Sequence, residues 1–151
     1  MSNFTDHDTF IFDLDDTLWD GYWAKMLVGD FIKTGEHSVV DELGNRLTFK
    51  NGVIDFLKSK SENHDLGFVS RGGLLHINKQ SQPSIKILEA FDVLKYFNYC
   101  QHIIYKTESK GDYIVPSGKT LYIDDNENDL RDVKNKHGNA IDVVNANEFS
   151  F

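Results

Sequence analysis

Apolar runs of strand length recur along this chain at Thr9–Phe12, Leu66–Val69, His102–Tyr105, Thr120–Ile123 and Ala140–Val144. Most of the intervals between them carry helical spacing. Asn51–Ser61 puts Val53, Ile54, Phe56 and Leu57 on one side, and Ser84–Phe97 does the same with Ile85, Ile87, Leu88, Phe91, Leu94 and Phe97. Asn128–Lys136 is a shorter helix candidate with Leu130 and Val133. Strand and helix in alternation predict an α/β fold: a doubly wound, Rossmann-like, mainly parallel sheet with helices on both faces. A sheet of that kind places its site beyond the carboxyl ends of its strands.

One segment breaks the alternation. Val39–Phe49 reads as a β-hairpin around Gly44-Asn45, with Gly first as a type II′ turn prefers. It forms a small flap, an insertion at about residues 37–49, and leaves no room for a large cap domain. At 151 residues the chain is expected to be a single domain, 1–151, long enough for a core. No apolar stretch approaches the roughly 18 residues of a membrane span. The acidic start Met1–Asp8 has no apolar signal core. The single cysteine, Cys100, cannot form an internal disulfide and suits a reducing compartment, as a packed, inert thiol. These features together predict a cytoplasmic protein. The net charge of −8 argues against nucleic-acid partners and acidic membranes. It would also repel phosphate, unless a bound divalent cation inverts the field locally.

The polar residues that carry chemistry cluster at the predicted strand ends. The run Phe10-Ile11-Phe12 stops at Asp13-Leu14-Asp15-Asp16-Thr17, and Leu66–Val69 ends in Ser70-Arg71-Gly72-Gly73. After His102–Tyr105 come Lys106 and Lys110; Leu121-Tyr122-Ile123 ends in Asp124-Asp125, with Asn128 and Asp129 beyond. Each piece has an ordinary structural reading. Asp13 and Asp15 could be a solvated strand end, Asp125 a helix N-cap, Ser70 a turn residue and Arg71 plain surface. Trp19, Tyr22 and Trp23 could form an aromatic rim over a substrate or pack beneath the hairpin. The histidines have no metal-ligand spacing, which argues against zinc. Acids at the end of a strand are well placed for a metal ion and a reacting phosphate, whose monoesters need a large barrier reduction. A carboxylate nucleophile (Asp13) and an acid/base two residues on (Asp15) suit that chemistry.

The motif order resembles that of the haloacid-dehalogenase superfamily: a strand with DxDxT, a strand ending in Ser, a Lys, then a strand ending in paired acids. The likeness is nearest to its small capless magnesium-dependent phosphatases, the acid phosphatase family. It is carried by Phe12–Trp19, the hairpin near Gly44, Ser70-Arg71, Leu88–Phe97 and Ile123-Asp124-Asp125. The resemblance implies a Mg²⁺-dependent phosphomonoester hydrolase that forms an aspartyl-phosphate on Asp13, with Asp15 as acid/base. Mg²⁺ would be held by Asp13, the backbone carbonyl of Asp15, Asp124 and Asp125. Ser70 and a lysine would contact the phosphoryl oxygens, with Thr17 and Arg71 also binding substrate. Lys110 is preferred to Lys106, because the related phosphatases carry their lysine in a Ser-Lys pair. Asp16 receives no role. The expected substrate is a phosphotyrosine or phosphoprotein, or a small sugar phosphate, met by a monomer. The alternative is a non-enzymatic phospho-acceptor or binding module with a receiver-like acid/Mg²⁺ site, a reading disfavoured because the middle strand ends in Ser70.

Overall fold

The computed structural model describes residues 6–151, so part of the N-terminal segment read above for a signal core lies outside the described residues. Among the described residues, nine strands and three α-helices follow in chain order. They are β1 (Thr9–Phe12), β2 (Trp19–Gly21), β3 (Phe31–Thr34), β4 (Ser38–Asp41), β5 (Arg46–Phe49), α1 (Val53–Lys60), β6 (Asp65–Ser70), α2 (Pro83–Ala90), β7 (Tyr99–His102), β8 (Thr120–Asp124), α3 (Glu127–His137) and β9 (Ile141–Asn145). Strands β7-β6-β1-β8-β9 form a sheet in that order, and every neighbouring pair is parallel.

The period-2 alternation of β1 decides which layer lies on which face. Phe10 and Phe12 point into one core with Val53 and Leu57 of α1 and Ile85 and Leu88 of α2. Ile11 points into the other, with Leu130 and Val133 of α3. Helices therefore cover both faces, as expected. The first core is rich in edge-to-face aromatic pairs, among them Phe10–Phe56 at 5.6 Å and Phe68–Phe97 at 5.5 Å between ring centroids. Among the described residues, no helix is long and apolar enough to cross a membrane.

Four details depart from the sequence reading. The insertion is larger than a hairpin: β2, β5, β4 and β3 form a four-stranded antiparallel sheet that starts at Trp19 rather than near residue 37. Its outer strands are only three and four residues long and, apart from Trp19, exposed or partly exposed, so no continuous apolar run announces them. The β4–β5 connection is also longer than a two-residue II′ turn. Asp41 accepts from the backbone N–H of Leu43 (3.0 Å) and of Asn45 (2.8 Å), closing a wider loop in which Gly44 has φ 83°.

The helix expected over Ser84–Phe97 stops at Ala90. Asp92 takes φ 57°, its N–H donates to Glu89 O, and the N–H of Val93 donates to Leu88 O, the paired bonds of a Schellman stop. The third parallel strand lies at Tyr99–His102 instead of His102–Tyr105. It is a half-buried edge strand, and the apolar pair after it, Ile103-Ile104, already belongs to the following loop.

Candidate active site

The carboxyl ends of β1, β6 and β8 converge on a pocket of about 150 Å³. Asp13 continues the sheet one residue past β1, its N–H donating to Ile123 O at 2.9 Å. The chain then turns sharply. Thr17 N–H and Leu18 N–H both donate to Leu14 O, and Asp16 adopts φ 63°. This turn separates the carboxylates of Asp13 and Asp15 while leaving both on the pocket wall. Lys50 secures it by donating from Nζ to the Asp16 carbonyl.

Lys110 is 2% exposed and sits among the acids. Its Nζ lies 3.0 Å from Asp13 Oδ1, 2.8 Å from Asp124 Oδ2 and 3.4 Å from Asp129 Oδ2. Burial alone would lower its pKa, but these carboxylates outweigh burial and hold it above the usual lysine range. Burial pushes the Asp13 carboxyl well up, with Lys110 opposing and Asp124 adding to the rise. Lys106 is exposed, and only its backbone carbonyl faces the site, 3.5 Å from Arg71 Nη1.

Oδ1 of Asp15 accepts from the Trp19 indole N–H (2.8 Å) and the Ala24 N–H (3.0 Å). Burial raises its pKa, against these two donors. Ser70, almost fully buried, closes β6 on the pocket wall and accepts the Gly72 N–H at 3.0 Å.

Two residues expected at the substrate make their hydrogen bonds to neighbouring protein groups. Thr17 is fully buried beneath the carboxylates, its hydroxyl 3.3 Å from both Asp13 Oδ2 and Asp125 Oδ1 and accepting the Asp125 N–H. It orients acids instead of lining the pocket. Arg71 reaches the pocket wall, but its guanidinium is committed to Asp129 Oδ1 (2.9 Å) and the Glu108 carbonyl (2.7 Å). Asp125 does not cap α3; Asn126 does, accepting from the N–H groups of Asn128 and Asp129. Asp125 is thereby left at the pocket.

The aromatic trio also divides. Trp19 is fully buried, whereas Trp23 stands 48% exposed at the pocket mouth with its indole N–H on Asp16.

Asp129, to which the motif pattern assigns no role, pairs with both Arg71 and Lys110. Those partners outweigh burial and hold its carboxyl below the usual range. Its position in the first turn of α3, one turn past the acid pair, was the available signal. Tyr122, whose hydroxyl donates to Asp124, gave none, because it reads as strand core.

The donor set fits an oxygen-seeking divalent cation. Ligand oxygens of Asp13, Asp124 and Asp125 lie within 4.8 Å of one another. Six aspartates line the pocket against three cationic side chains, Lys25, Arg71 and Lys110. A bound dication would offset that excess.

A doubly wound sheet that brings DxDxT acids, a serine, a lysine and an acid pair to one pocket is of the haloacid-dehalogenase type, as the motif order anticipated. A family model described as Acid Phosphatase matches residues 7–146, and the chain belongs to that family. Among solved structures it is similar to a haloacid dehalogenase-like family hydrolase from Streptococcus pneumoniae, at 13% identity and a TM-score of 0.44. That match covers 60% of this chain and 43% of the other, so the chain spans less than half the length of that hydrolase. The comparison with curated proteins returned no match.

Proposed function

We propose that this protein is a Mg²⁺-dependent phosphomonoesterase that acts through an aspartyl-phosphate on Asp13. The observation that carries this reading is the convergence on Asp13 of a buried ammonium, Lys110 at 3.0 Å, and the acids Asp124 and Asp125. A buried lysine shared by several carboxylates is costly to assemble for packing alone. It is useful where a phosphoryl group arrives.

The substrate phosphoryl group lies against Ser70 and Lys110. An Asp13 carboxylate oxygen attacks phosphorus as the leaving alkoxide takes a proton from Asp15. Water then attacks the aspartyl-phosphate, giving its proton to Asp15, and Asp13 is released with inorganic phosphate. Burial raises the Asp15 pKa, which favours the protonated form that the first step needs. Mg²⁺, held by Asp13, the Asp15 backbone carbonyl, Asp124 and Asp125, would neutralise charge on the carboxylates and phosphoryl oxygens. Arg71 and Thr17 serve the site by holding Asp129 and the acids.

The antiparallel insertion stands at the mouth and presents Trp23 there. That suits a monomer with an open site, which admits a phosphotyrosine side chain of a phosphoprotein as well as a small sugar phosphate. The test is a panel of phosphotyrosine peptide, sugar phosphates, nucleotides and p-nitrophenyl phosphate, with and without Mg²⁺. Turnover on at least one that is lost with chelator is expected; no turnover on any would refute the proposal.

A further inference from the structure

Two donors from the insertion meet on one oxygen of Asp15. The Trp19 indole Nε1–H lies 2.8 Å from Oδ1, and the Ala24 backbone N–H lies 3.0 Å from the same atom. Trp19 is fully buried, edge-to-face on Phe49 at 5.4 Å, and Phe49 in turn packs on Phe91 at 4.9 Å. Ala24, 1% exposed, opens the 3-10 turn Ala24–Met26. Both donors are therefore fixed by the insertion and by its packing on the main core. The other oxygen, Oδ2, accepts no hydrogen bond from the described residues. It faces the space above Gly72, where an added Cβ would lie 3.3 Å from it and 3.1 Å from Ser70 Oγ.

We infer that the insertion is a positioning element for the acid/base. Trp19 and Ala24 hold Oδ1 so that Oδ2 alone carries the proton, and Gly72 keeps open the space into which Oδ2 points. This rests on the aspartyl-phosphate reading above. As the Asp13 oxygen bonds to phosphorus and the P–O bond to the leaving group breaks, the Oδ2 proton passes to the departing alkoxide. As water oxygen bonds to phosphorus and the Asp13–phosphorus bond breaks, Oδ2 takes the water proton back. Both donors at Oδ1 stay in place through the cycle, so the carboxyl does not have to rotate between steps. Trp19 is a positioning residue, since it touches Asp15 and not substrate.

Trp19→Phe keeps a ring in the core and removes the indole N–H. The test measures kcat/KM with Mg²⁺ for the intact chain and this variant on p-nitrophenyl phosphate, whose leaving group departs without a proton, and on β-glycerophosphate, whose alkoxide needs one. We expect the variant to lose about tenfold more on the alkyl than on the aryl ester, a fraction of what full general-acid catalysis supplies. Equal losses on the two esters, or none, would overturn the inference while leaving the phosphatase reading intact. An intact chain that turns over neither of these esters nor any member of the panel above defeats the phosphatase reading itself. A readout independent of activity uses Trp23→Phe protein, in which Trp19 contributes the one remaining indole resonance. That resonance should move in the ¹H–¹⁵N spectrum when Asp15→Ala is added, and an unmoved resonance would show that the anchor does not exist.

Discussion

The Lys110 ammonium and Asp124 Oδ2 lie 2.8 Å apart at a place where neither side chain is more than 2% exposed. A lysine loses much solvation on reaching such a position and stays only because Asp13 and Asp129 are also close. The lysine therefore contributes to the fold as well as to the site.

Lys110→Met should reveal both contributions. Stranding buried carboxylates without their cation costs about 3–5 kcal/mol. Denaturant unfolding in chelator should show a loss of that order, and added Mg²⁺ should restore part of it by mass action. Turnover should fall by at least about 100-fold, the scale of losing one preorganised charge at a phosphoryl group. A variant with unchanged midpoint in chelator would mean that the cluster carries no net interaction with Lys110.

Asp129 joins Arg71 and Lys110, so Asp129→Ala releases two cations at once. Loss of hydrogen bonds to charged groups costs about 1–3 kcal/mol. The expected result is that stability loss together with a drop in kcat, as Lys110 becomes free to move. Arg71→Lys cannot reproduce the paired contacts on Asp129 and the Glu108 carbonyl, and should lose part of the same stability. If Asp129→Ala keeps full kcat, Lys110 is held adequately by Asp13 and Asp124 alone.

Gly72→Ala places a methyl 3.1 Å from Ser70 Oγ and 3.3 Å from Asp15 Oδ2. Gly72 has no positive φ, so the backbone accepts the change. The crowding falls on the pocket, and kcat should drop about tenfold while the melting temperature moves by no more than about 4 °C, the shift that roughly 1 kcal/mol produces in a domain of this size. A large fall in melting temperature with normal kcat would place the tight contact outside the reaction path.

His102, at the end of β7, is held at a pKa of about 4, chiefly by burial and secondarily by Lys79. Its ring Nε2 and the Ser84 hydroxyl share a hydrogen bond. A histidine whose folded value lies below the unfolded value near 6.5 stabilises fully above that unfolded value. The contribution is lost as pH falls from about 6.5 towards 4, and should amount to about 3 kcal/mol between pH 7 and pH 4. His102→Gln should unfold with a shallower dependence on pH across that window. Parallel pH profiles for the two proteins would show that His102 is not held neutral by the fold.

The sequence was most informative where burial is two-sided. Phe10–Phe12, Leu66–Val69 and Leu121–Ile123 are continuous apolar runs because helices cover both faces of the central strands. The edge strand β7 is only half-buried, and its apolar signal belongs to the loop after it, which explains its displacement by three residues. Strands β2 and β3 left no trace, since each is short, edges its sheet, and apart from Trp19 is exposed or partly exposed. Asp13, Asp15, Asp124 and Asp125 line one pocket because acids at strand ends gather beyond the sheet, whereas Ser70 and Lys110, which line it too, were singled out by the family resemblance rather than by their residue type. Thr17 and Arg71 engage neighbouring acids, Arg71 from the pocket wall, and a motif position does not say which partner a side chain takes. The bond between Trp19 and Asp15 was hidden for the same reason: burial of an indole is legible, but the direction of its N–H is not.

In the proposed reaction phosphorus becomes bonded to Asp13. The most direct measurement is rapid acid quench during turnover with Mg²⁺, followed by borohydride reduction and peptide mapping. Homoserine is expected at position 13, formed only when substrate is present, with neither homoserine nor turnover in Asp13→Asn. Modification at another residue, or continued turnover by Asp13→Asn, would contradict it.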